Sequence, residues 1–216
     1  MIHNFKMIEK YFTNETPINC NFQEPFAIFS LWLDDAKKNS QIIEPTAMCL
    51  ATSVNDIVSS RMVLLKKIDE SGFCFYTNFN SNKGGQIFKN QNVALCFYWG
   101  VLGRQVRVEG KAFEVSMAEA DDYFASRRRE SRIGAWASKQ SSIMNKWQEF
   151  LDAIAFFTKK FENSDVPRPQ NWSGFRVVPN KIEFWQEGDF RIHQRVVFEK
   201  SNETPQSQWI VNKLYP

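Results

Sequence analysis

The sequence predicts an α+β fold made mainly of antiparallel β-strands, with helices at its start and in its second half. Short β-rich runs separated by turn residues begin at residue 46, helical apolar spacing follows from residue 118, and strand-like runs return at residue 174. Five strands within about seventy residues indicate a meander that closes toward a barrel. The length of 216 residues, 43% of them hydrophobic, predicts a single domain over 1–216.

The N-terminal part is predicted to hold an arm and one helix. Residues 1–20 are polar and irregular, which is typical of a mobile arm. A helix is predicted over 25–38 because a proline stands at its first position and two lysines at its end. Its apolar side chains, among them Phe26, Phe29 and Leu33, recur on one face and are expected to pack on the sheet.

The remaining elements follow from alternating and helical apolar patterns. The first five strands are predicted at 46–54, 58–68, 73–79, 93–99 and 104–115. Helices are predicted at 83–90, 118–129 and 143–161. The last strands are predicted at 174–178, 181–186, 192–199 and 208–211.

Composition excludes several classes of protein. The 27 Lys and Arg residues against 24 Asp and Glu give a net charge of +3, too weak a field to require nucleic acid as a partner. No run approaches 18 apolar residues, and the N-terminus lacks the pattern of a signal peptide. We therefore expect a soluble, cytoplasmic protein with no membrane partner.

Cysteine and histidine usage argues against disulfides and metals. Three of the four cysteines, Cys49, Cys74 and Cys96, lie in apolar strand-like runs, whereas Cys20 does not. We expect buried free thiols rather than disulfides. With only two histidines and no C-x-x-C or H-E-x-x-H motif, no metal site is expected.

Basic and hydroxyl side chains collect at the edges of the predicted strands. They are Arg61, Lys66, Tyr76, Thr77, Ser81, Lys83, Arg104 and Gln105. A phosphate dianion needs several N–H and O–H donors, and these segments can supply them. Arg61 and Lys66 are five residues apart, so on one strand they point to opposite faces. Solvated charges at strand ends are the alternative interpretation.

A second group has helical spacing. Tyr123, Arg127 and Ser131 are four residues apart and share one helix face if the helix continues that far. Such a face can hold a small anion. The alternative is a solvated basic patch, or a weak nucleic-acid contact, around the three consecutive arginines.

A third group follows Trp185. Arg191, His193 and Arg195 alternate, so a single strand would present all three on the same face, where an anion or a cleft is expected. A structural histidine is the alternative. No Ser/His/Asp order and no isolated carboxylate pair is present, which fits chemistry carried by a bound cofactor.

Several stretches together resemble the pyridoxamine (pyridoxine) 5′-phosphate oxidases over residues 44–216. The stretches are Glu44-Pro45-Thr46-Ala47-Met48, Arg61-Met62-Val63-Leu64-Leu65-Lys66, Phe75-Tyr76-Thr77-Asn78, Arg104-Gln105-Val106, Gly134-Ala135-Trp136-Ala137-Ser138-Lys139-Gln140-Ser141-Ser142, Ile182-Glu183-Phe184-Trp185-Gln186 and Arg191-Ile192-His193-Gln194-Arg195. The resemblance implies an FMN-binding split β-barrel that forms a homodimer, with one FMN at each of two subunit interfaces. It implies oxidation of pyridoxamine or pyridoxine 5′-phosphate to pyridoxal 5′-phosphate, with O2 reduced to H2O2.

The resemblance also implies roles for individual residues. FMN would be bound by Arg61, Met62, Val63, Leu64, Leu65, Lys66, Tyr76, Thr77, Lys83, Gln105, Gln140, Ser141, Trp185 and Arg195. The substrate would be bound by Lys66, Tyr123, Arg127, Ser131, Arg191 and His193, of which Arg191 and His193 would be catalytic.

The chain departs from the family pattern at two places. Asn82-Lys83 stands where the family usually has Arg-Lys, so one cationic contact to the flavin phosphate is missing and weaker FMN binding is expected. In the arm, Ile8-Glu9-Lys10 precedes Tyr11 in place of basic residues, which puts closure of the arm over the substrate in doubt.

Three other functions remain open at this point. The nearest is a related FMN split-barrel oxidase acting on another substrate, as in phenazine biosynthesis. The second is a non-catalytic protein that binds FMN or pyridoxal phosphate. The third is an RNA-binding barrel that uses residues 127–132, which the small net charge supports poorly.

Overall fold

The computed structural model describes residues 24–200 and 209–216. The helices are α1 (Glu24–Lys38), α2 (Asn82–Lys89), α3 (Met117–Ser126), α4 (Arg129–Ala137) and α5 (Trp147–Lys160). The strands are β1 (Ala47–Val54), β2 (Ile57–Leu64), β3 (Lys67–Asp69), β4 (Gly72–Asn78), β5 (Asn92–Trp99), β6 (Arg104–Glu114), β7 (Trp172–Gln186), β8 (Gln194–Lys200) and β9 (Trp209–Leu214). None of these helices is long and apolar enough to cross a membrane.

All strand pairs are antiparallel and belong to one sheet. Its order is β2-β1-β5-β6-β7-β4-β3, and β8 pairs with both β7 and β9. The predicted α+β class is confirmed, although the ladder of hydrogen bonds between the described strands does not close into a full barrel. β2 lies at one edge of the sheet and pairs with β1.

The main core lies between α1 and the concave face of the sheet. Strands such as β1 alternate buried and half-buried residues, because successive side chains point to opposite faces. The predicted apolar face of α1 is buried. Phe29 is fully buried, and its ring meets those of Phe73 and Phe97 edge to face at 5.0 and 4.8 Å between centroids.

A β-bulge lets β7 run through a proline. Two strands were expected at 174–178 and 181–186, but one 15-residue strand is observed. The register against β6 shifts after Glu109, so that Asn180 is the extra residue and Pro179 faces Gly110. A Cβ at Gly110 would lie 2.2 Å from the carbonyl oxygen of Val178, so only glycine permits this close approach.

Other element boundaries differ from the predictions. The strand expected at 58–68 is two strands, β2 and β3, joined at Leu65-Lys66. The helix expected at 118–129 ends at Ser126, and α4 was not predicted. Among the thiols, Cys74 is buried, whereas Cys49 and Cys96 are half-buried, and all three are free.

Some predictions fall outside the described residues. They concern the arm at 1–20 with Cys20, the departure at Ile8-Glu9-Lys10 before Tyr11, and the start of the last strand at Gln208.

Candidate active site

The tyrosine–arginine pocket is a cavity of about 480 Å³ between β2, β4, α2, α3 and α4. This volume is typical of a site for a small organic ligand. Its lining residues are Met62, Val63, Leu64, Lys66, Tyr76, Thr77, Asn78, Lys83, Tyr123, Arg127, Ser131, Gly134, Ala135, Ser138, Gln140 and Trp172. The whole second group singled out in the sequence thus meets part of the first in one cavity. The first group contributes Lys66, Tyr76, Thr77 and Lys83, whereas Arg61, Ser81, Arg104 and Gln105 do not line it.

Three aromatic rings that line this pocket stack on one another. The ring centroids of Tyr76 and Tyr123 lie 4.0 Å apart, and those of Tyr76 and Trp172 lie 5.5 Å apart, with the planes nearly parallel. Gly174 faces Tyr76 across the strand pair, and a Cβ there would lie 2.7 Å from the Tyr76 ring. Burial raises the pKa of both tyrosines. Their hydroxyl groups therefore stay protonated and can donate hydrogen bonds.

Arg127 is a half-buried cation of the pocket, and one of its nitrogen atoms is fully buried without an acceptor. Its guanidinium carbon lies 4.8 Å from the centroid of the Trp172 ring, a cation–π contact. Its Nη1 atom is buried and finds no hydrogen-bond acceptor in the described part of the chain. Burial lowers the pKa of Arg127, but an arginine remains charged in a protein. A buried donor without an acceptor is costly, so this position favours an anionic ligand.

The helix premise behind the second group is wrong, although its three residues do meet. Arg127 has ψ of 150° and ends α3, and Ser131 lies in the next helix, α4. This break turns the Arg127 side chain onto Trp172. Tyr123, Arg127 and Ser131 line the pocket from two helices instead of one helix face.

Lys83 is a second cation held by neutral oxygens. Its Nζ atom lies 3.1 Å from Gln140 Oε1, 3.2 Å from Thr77 Oγ1 and 3.3 Å from Ser81 Oγ. Burial and then the charge of Arg61 lower the pKa of Lys83. A nearby anion would stabilise the charged ammonium group and would raise the pKa of Lys83 back toward its usual value.

Several predicted ligands lie beside the pocket rather than in its lining. The Arg61 guanidinium donates to Thr52 Oγ1 and Gln86 Oε1, each at 2.8 Å. Leu65 is buried in the core, and Ser141 has a φ of 73° in the loop after Gln140. Their roles toward a cofactor stay predictions.

The third group does not lie on one strand face, so that expectation is wrong. β8 begins only at Gln194, and Arg191 belongs to a short 3₁₀ turn. Phe190 and Arg191 have φ of 56° and 66°, left-handed values that cost energy for side chains larger than glycine. Strain of this kind is concentrated at functional sites.

We call residues 187–193 the arginine–histidine loop; it borders a separate cavity of about 620 Å³. The backbone N–H of Gly188 donates to His193 Nδ1 at 3.3 Å. In the neutral imidazole the proton is therefore on Nε2, which can donate to a ligand. The His193 ring lies 4.7 Å from that of Trp185, which pairs across the sheet with Gln105.

Arg195 is held by a carboxylate. Its Nε atom donates to Glu183 Oε1 at 2.8 Å, and its Nη1 atom donates to the carbonyl oxygen of Tyr215 at 3.0 Å. Glu183 is 3% exposed and also accepts from Arg107. The hydrogen bond from Arg195 to Glu183 raises the pKa of the guanidinium. If Arg195 contacts FMN as the resemblance implies, its positive charge would interact with both FMN and Glu183.

The tyrosine–arginine pocket and the arginine–histidine loop lie at opposite ends of β7. Trp172 lines the tyrosine–arginine pocket, and Trp185 contacts the arginine–histidine loop. Thirteen residues of strand separate them, about 40 Å of extended chain. Within one chain, Arg191 and His193 therefore do not line the pocket that holds Arg127.

The structure adds residues that the sequence interpretation missed. Trp172, Asn78, Ser138 and the small residues Gly134 and Ala135 line the pocket. A tryptophan at the start of a strand, three residues after the Pro-Arg-Pro segment, was the available signal for Trp172.

The basic segment 127–132 is not a solvated stripe. Arg129 donates to the carbonyl oxygens of Phe161 and Ser164, and Arg132 lies 3.4 Å from Asp165. These contacts tie α4 to the end of α5, which weakens the interpretation as an RNA-binding face.

Comparison with known proteins gives two family matches. The model described as pyridoxamine 5′-phosphate oxidase matches residues 35–157, and the model described as the pyridoxine 5′-phosphate oxidase C-terminal dimerisation region matches residues 172–216. Curated pyridoxine/pyridoxamine 5′-phosphate oxidases from Brucella canis and Brucella abortus are 48% identical over 205 residues, 94% of this chain and 100% of the relatives.

Solved structures show the same fold. PhzG from Burkholderia lata, in complex with tetrahydrophenazine-1-carboxylic acid, superposes with a TM-score of 0.84 at 26% identity and covers 96% of both chains. A pyridoxamine 5′-phosphate oxidase-related, FMN-binding protein from Nostoc punctiforme gives a TM-score of 0.67 at 15% identity, covering 86% of this chain and 96% of its own. The predicted split-barrel architecture is therefore confirmed.

Proposed function

The chain belongs to the pyridoxamine 5′-phosphate oxidase family, and on this premise we propose that it is an FMN-dependent oxidase of pyridoxamine and pyridoxine 5′-phosphates. Both substrates would yield pyridoxal 5′-phosphate while O2 is reduced to H2O2, and the amine substrate would also take up water and release ammonia. The observation that carries the proposal is the buried Arg127 Nη1, which has no acceptor among residues 24–200 and 209–216.

The phosphate of the substrate fits one end of the tyrosine–arginine pocket. Arg127 and Lys66 would supply positive charge there, and Tyr123 and Ser131 would supply hydroxyl donors. Charge-assisted hydrogen bonds of this kind contribute about 1.5–3 kcal/mol each. The substrate ring would then be oriented by its phosphate, which is how binding energy far from the reacting carbon is converted into rate.

FMN fits the other side of the same pocket. Lys83 would supply the positive charge for the FMN phosphate there, since it donates only to neutral oxygens, among them those of Thr77 and Gln140, and no ion pair to a carboxylate is found for it within the described ranges. β2 pairs with β1 along one side. Its backbone at Met62 to Leu64 lines the cavity and would meet the polar edge of a flavin ring. Bound FMN would supply the two-electron oxidation of the substrate's C4′ carbon and the return of those electrons to O2.

We further propose that a second chain completes each site. The arginine–histidine loop lies in the segment matched by the dimerisation region. Apolar side chains around it are exposed in the single chain: Phe190 by 95%, Ile192 by 68% and Tyr98 by 67%. A second copy that covers them would bring its own loop to the tyrosine–arginine pocket. Arg191 and the Nε2 proton of His193 would then orient and polarise the substrate.

The test is a spectrum followed by an oxygen trace. FMN is added to the purified protein, its bound absorbance is recorded, and O2 uptake is measured on addition of pyridoxamine 5′-phosphate. Bound flavin with substrate-dependent uptake and a pyridoxal product supports the proposal. Bound flavin without uptake contradicts the oxidase activity proposed here.

A second candidate is an oxidase of another anionic aromatic substrate, which the structural likeness to PhzG favours. A carboxylate can use the same cations as a phosphate. Oxygen uptake that is faster with an aromatic carboxylate than with pyridoxamine 5′-phosphate would select this candidate.

Lys83→Ala is expected to weaken FMN binding about tenfold or more, because one charge-assisted bond to the flavin phosphate is lost. The dissociation constant is measured by quenching of flavin fluorescence. Lys89→Ala is the matched control, since Lys89 is exposed in the last turn of the same helix. Equal FMN affinity in the Lys83 variant and the wild type would remove Lys83 from the flavin site.

A further inference from the structure

Arg176 joins two separate parts of the chain. It lies on β7, opposite Cys74 of β4 and Phe113 of β6, and its side chain is 14% exposed. Its Nη1 atom donates to Asp69 Oδ1, and its Nη2 atom donates to Glu119 Oε1, both at 2.8 Å. A single planar guanidinium therefore fixes the distance between β3 and α3.

Both of these parts lead directly to the pocket. Asp69 ends β3, which begins one residue after Lys66. Glu119 lies on α3 four residues before Tyr123, so the two share a helix face. Lys66 and Tyr123 both line the pocket together with Tyr76.

Arg176 and Lys67 surround the two carboxylates with positive charge. Lys67 Nζ lies 3.3 Å from Asp69 Oδ2 and 3.9 Å from Glu119 Oε1. Burial alone would raise the pKa of Asp69, but the hydrogen bonds from Ser71 and the charge of Arg176 lower it. Burial raises the pKa of Cys74 to about 12, so its thiol, 3.8 Å from Glu119, stays protonated.

We propose that Arg176 is a positioning residue that holds Lys66 and Tyr123 at the spacing needed for a phosphorylated ligand. The inference rests on the proposed function and adds to it a residue that does not line the pocket. Buried ion pairs add little net stability compared with apolar packing. The role that we assign to the two ion pairs of Arg176 is therefore the alignment of β3 with α3.

The test compares Arg176→Gln with Lys67→Gln in the FMN-loaded protein. Lys67→Gln removes a positive charge from the same two carboxylates, but the Lys67 side chain is 54% exposed and its Nζ atom lies farther from them, at 3.3 and 3.9 Å. Arg176→Gln is expected to raise KM for pyridoxamine 5′-phosphate and the dissociation constant of pyridoxal 5′-phosphate about tenfold. Its kcat and FMN affinity, and all values for Lys67→Gln, should stay within about twofold of wild type. Arg176→Lys should fall between, because an ammonium group keeps the charge but lacks the planar fork that donates to both carboxylates at 2.8 Å.

Each other outcome has a defined meaning. Equal losses of FMN and pyridoxal 5′-phosphate affinity in Arg176→Gln, or equal effects of the two glutamine variants, would overturn the positioning role. If Arg176→Gln does not fold, Glu119→Ala removes the acceptor on α3 while Arg176 keeps its contact to Asp69, and this variant must show the same selective loss. A wild-type protein that binds FMN but neither oxidises the amine substrate nor binds pyridoxal 5′-phosphate overturns the proposed function and the inference with it.

Discussion

Arg127→Ala is expected to raise KM for pyridoxamine 5′-phosphate about a hundredfold, which corresponds to about 2.7 kcal/mol of lost binding energy. The change removes the buried Nη1 donor and the cation over Trp172. Because FMN is proposed to bind at the Lys83 side of the pocket, the affinity for FMN should change little. Steady-state oxygen uptake gives KM, and flavin fluorescence gives the FMN dissociation constant.

Arg128→Ala is the control for this prediction. Arg128 has the same charge and is the next residue, but it is exposed and outside the pocket lining. Its KM should match that of the wild type within about twofold, as for most surface substitutions. A comparable rise in both variants would mean that the general positive field, and not the buried guanidinium, attracts the substrate.

The fold could be predicted where local patterns and tertiary packing agree. α1 carries a proline at its start and an apolar face that packs on the sheet, so its observed bounds, Glu24–Lys38, lie within one residue of the prediction. Asn55 and Asp56 lie between the strands predicted at 46–54 and 58–68, and both adopt the positive φ of a two-residue hairpin turn. Each of these features depends on a few neighbouring residues, so the local sequence is enough to predict it.

The details of the site depend on contacts between distant residues, which no local pattern contains. The helical pattern around Tyr123 continues through Arg127, but the chain leaves the helix there and Arg127 lies over Trp172, 45 residues further on. Phe190 and Arg191 adopt left-handed conformations without the glycine or asparagine that usually marks them. The alternation of Arg191, His193 and Arg195 was real in the sequence, yet no strand spans it.

The family resemblance assigns to one substrate site several residues that the single chain does not bring together. Residues grouped by the family resemblance separate in the single chain into the tyrosine–arginine pocket and the arginine–histidine loop. A site that needs both groups can be assembled from two chains related by a twofold axis. We therefore expect that a substitution in the pocket and a substitution in the loop of the same chain impair two different sites of the dimer.

At a substrate concentration near the wild-type KM, a heterodimer of Arg127→Ala and Arg191→Ala chains is expected to recover activity that both variant homodimers lack. If each site takes the pocket from one chain and the loop from the other, one site of the heterodimer carries both substitutions and its second site carries none. Chains with two different affinity tags are co-expressed and the doubly tagged species is isolated. Its turnover per dimer should reach about half of the wild-type value, because one of two symmetric sites is intact.

The pairing of variants within one group supplies the control. A heterodimer of Arg127→Ala and Lys66→Ala chains carries one defect in each pocket, so no intact site is formed and activity should stay low. The Arg191→Ala homodimer should still bind FMN and be yellow, since the side chain of Arg191 is exposed and lies in the loop rather than the pocket. Equal activity of the two kinds of heterodimer would contradict a shared site. Recovery only across the two groups would assign Arg191 and Arg127 to one catalytic centre built from two chains.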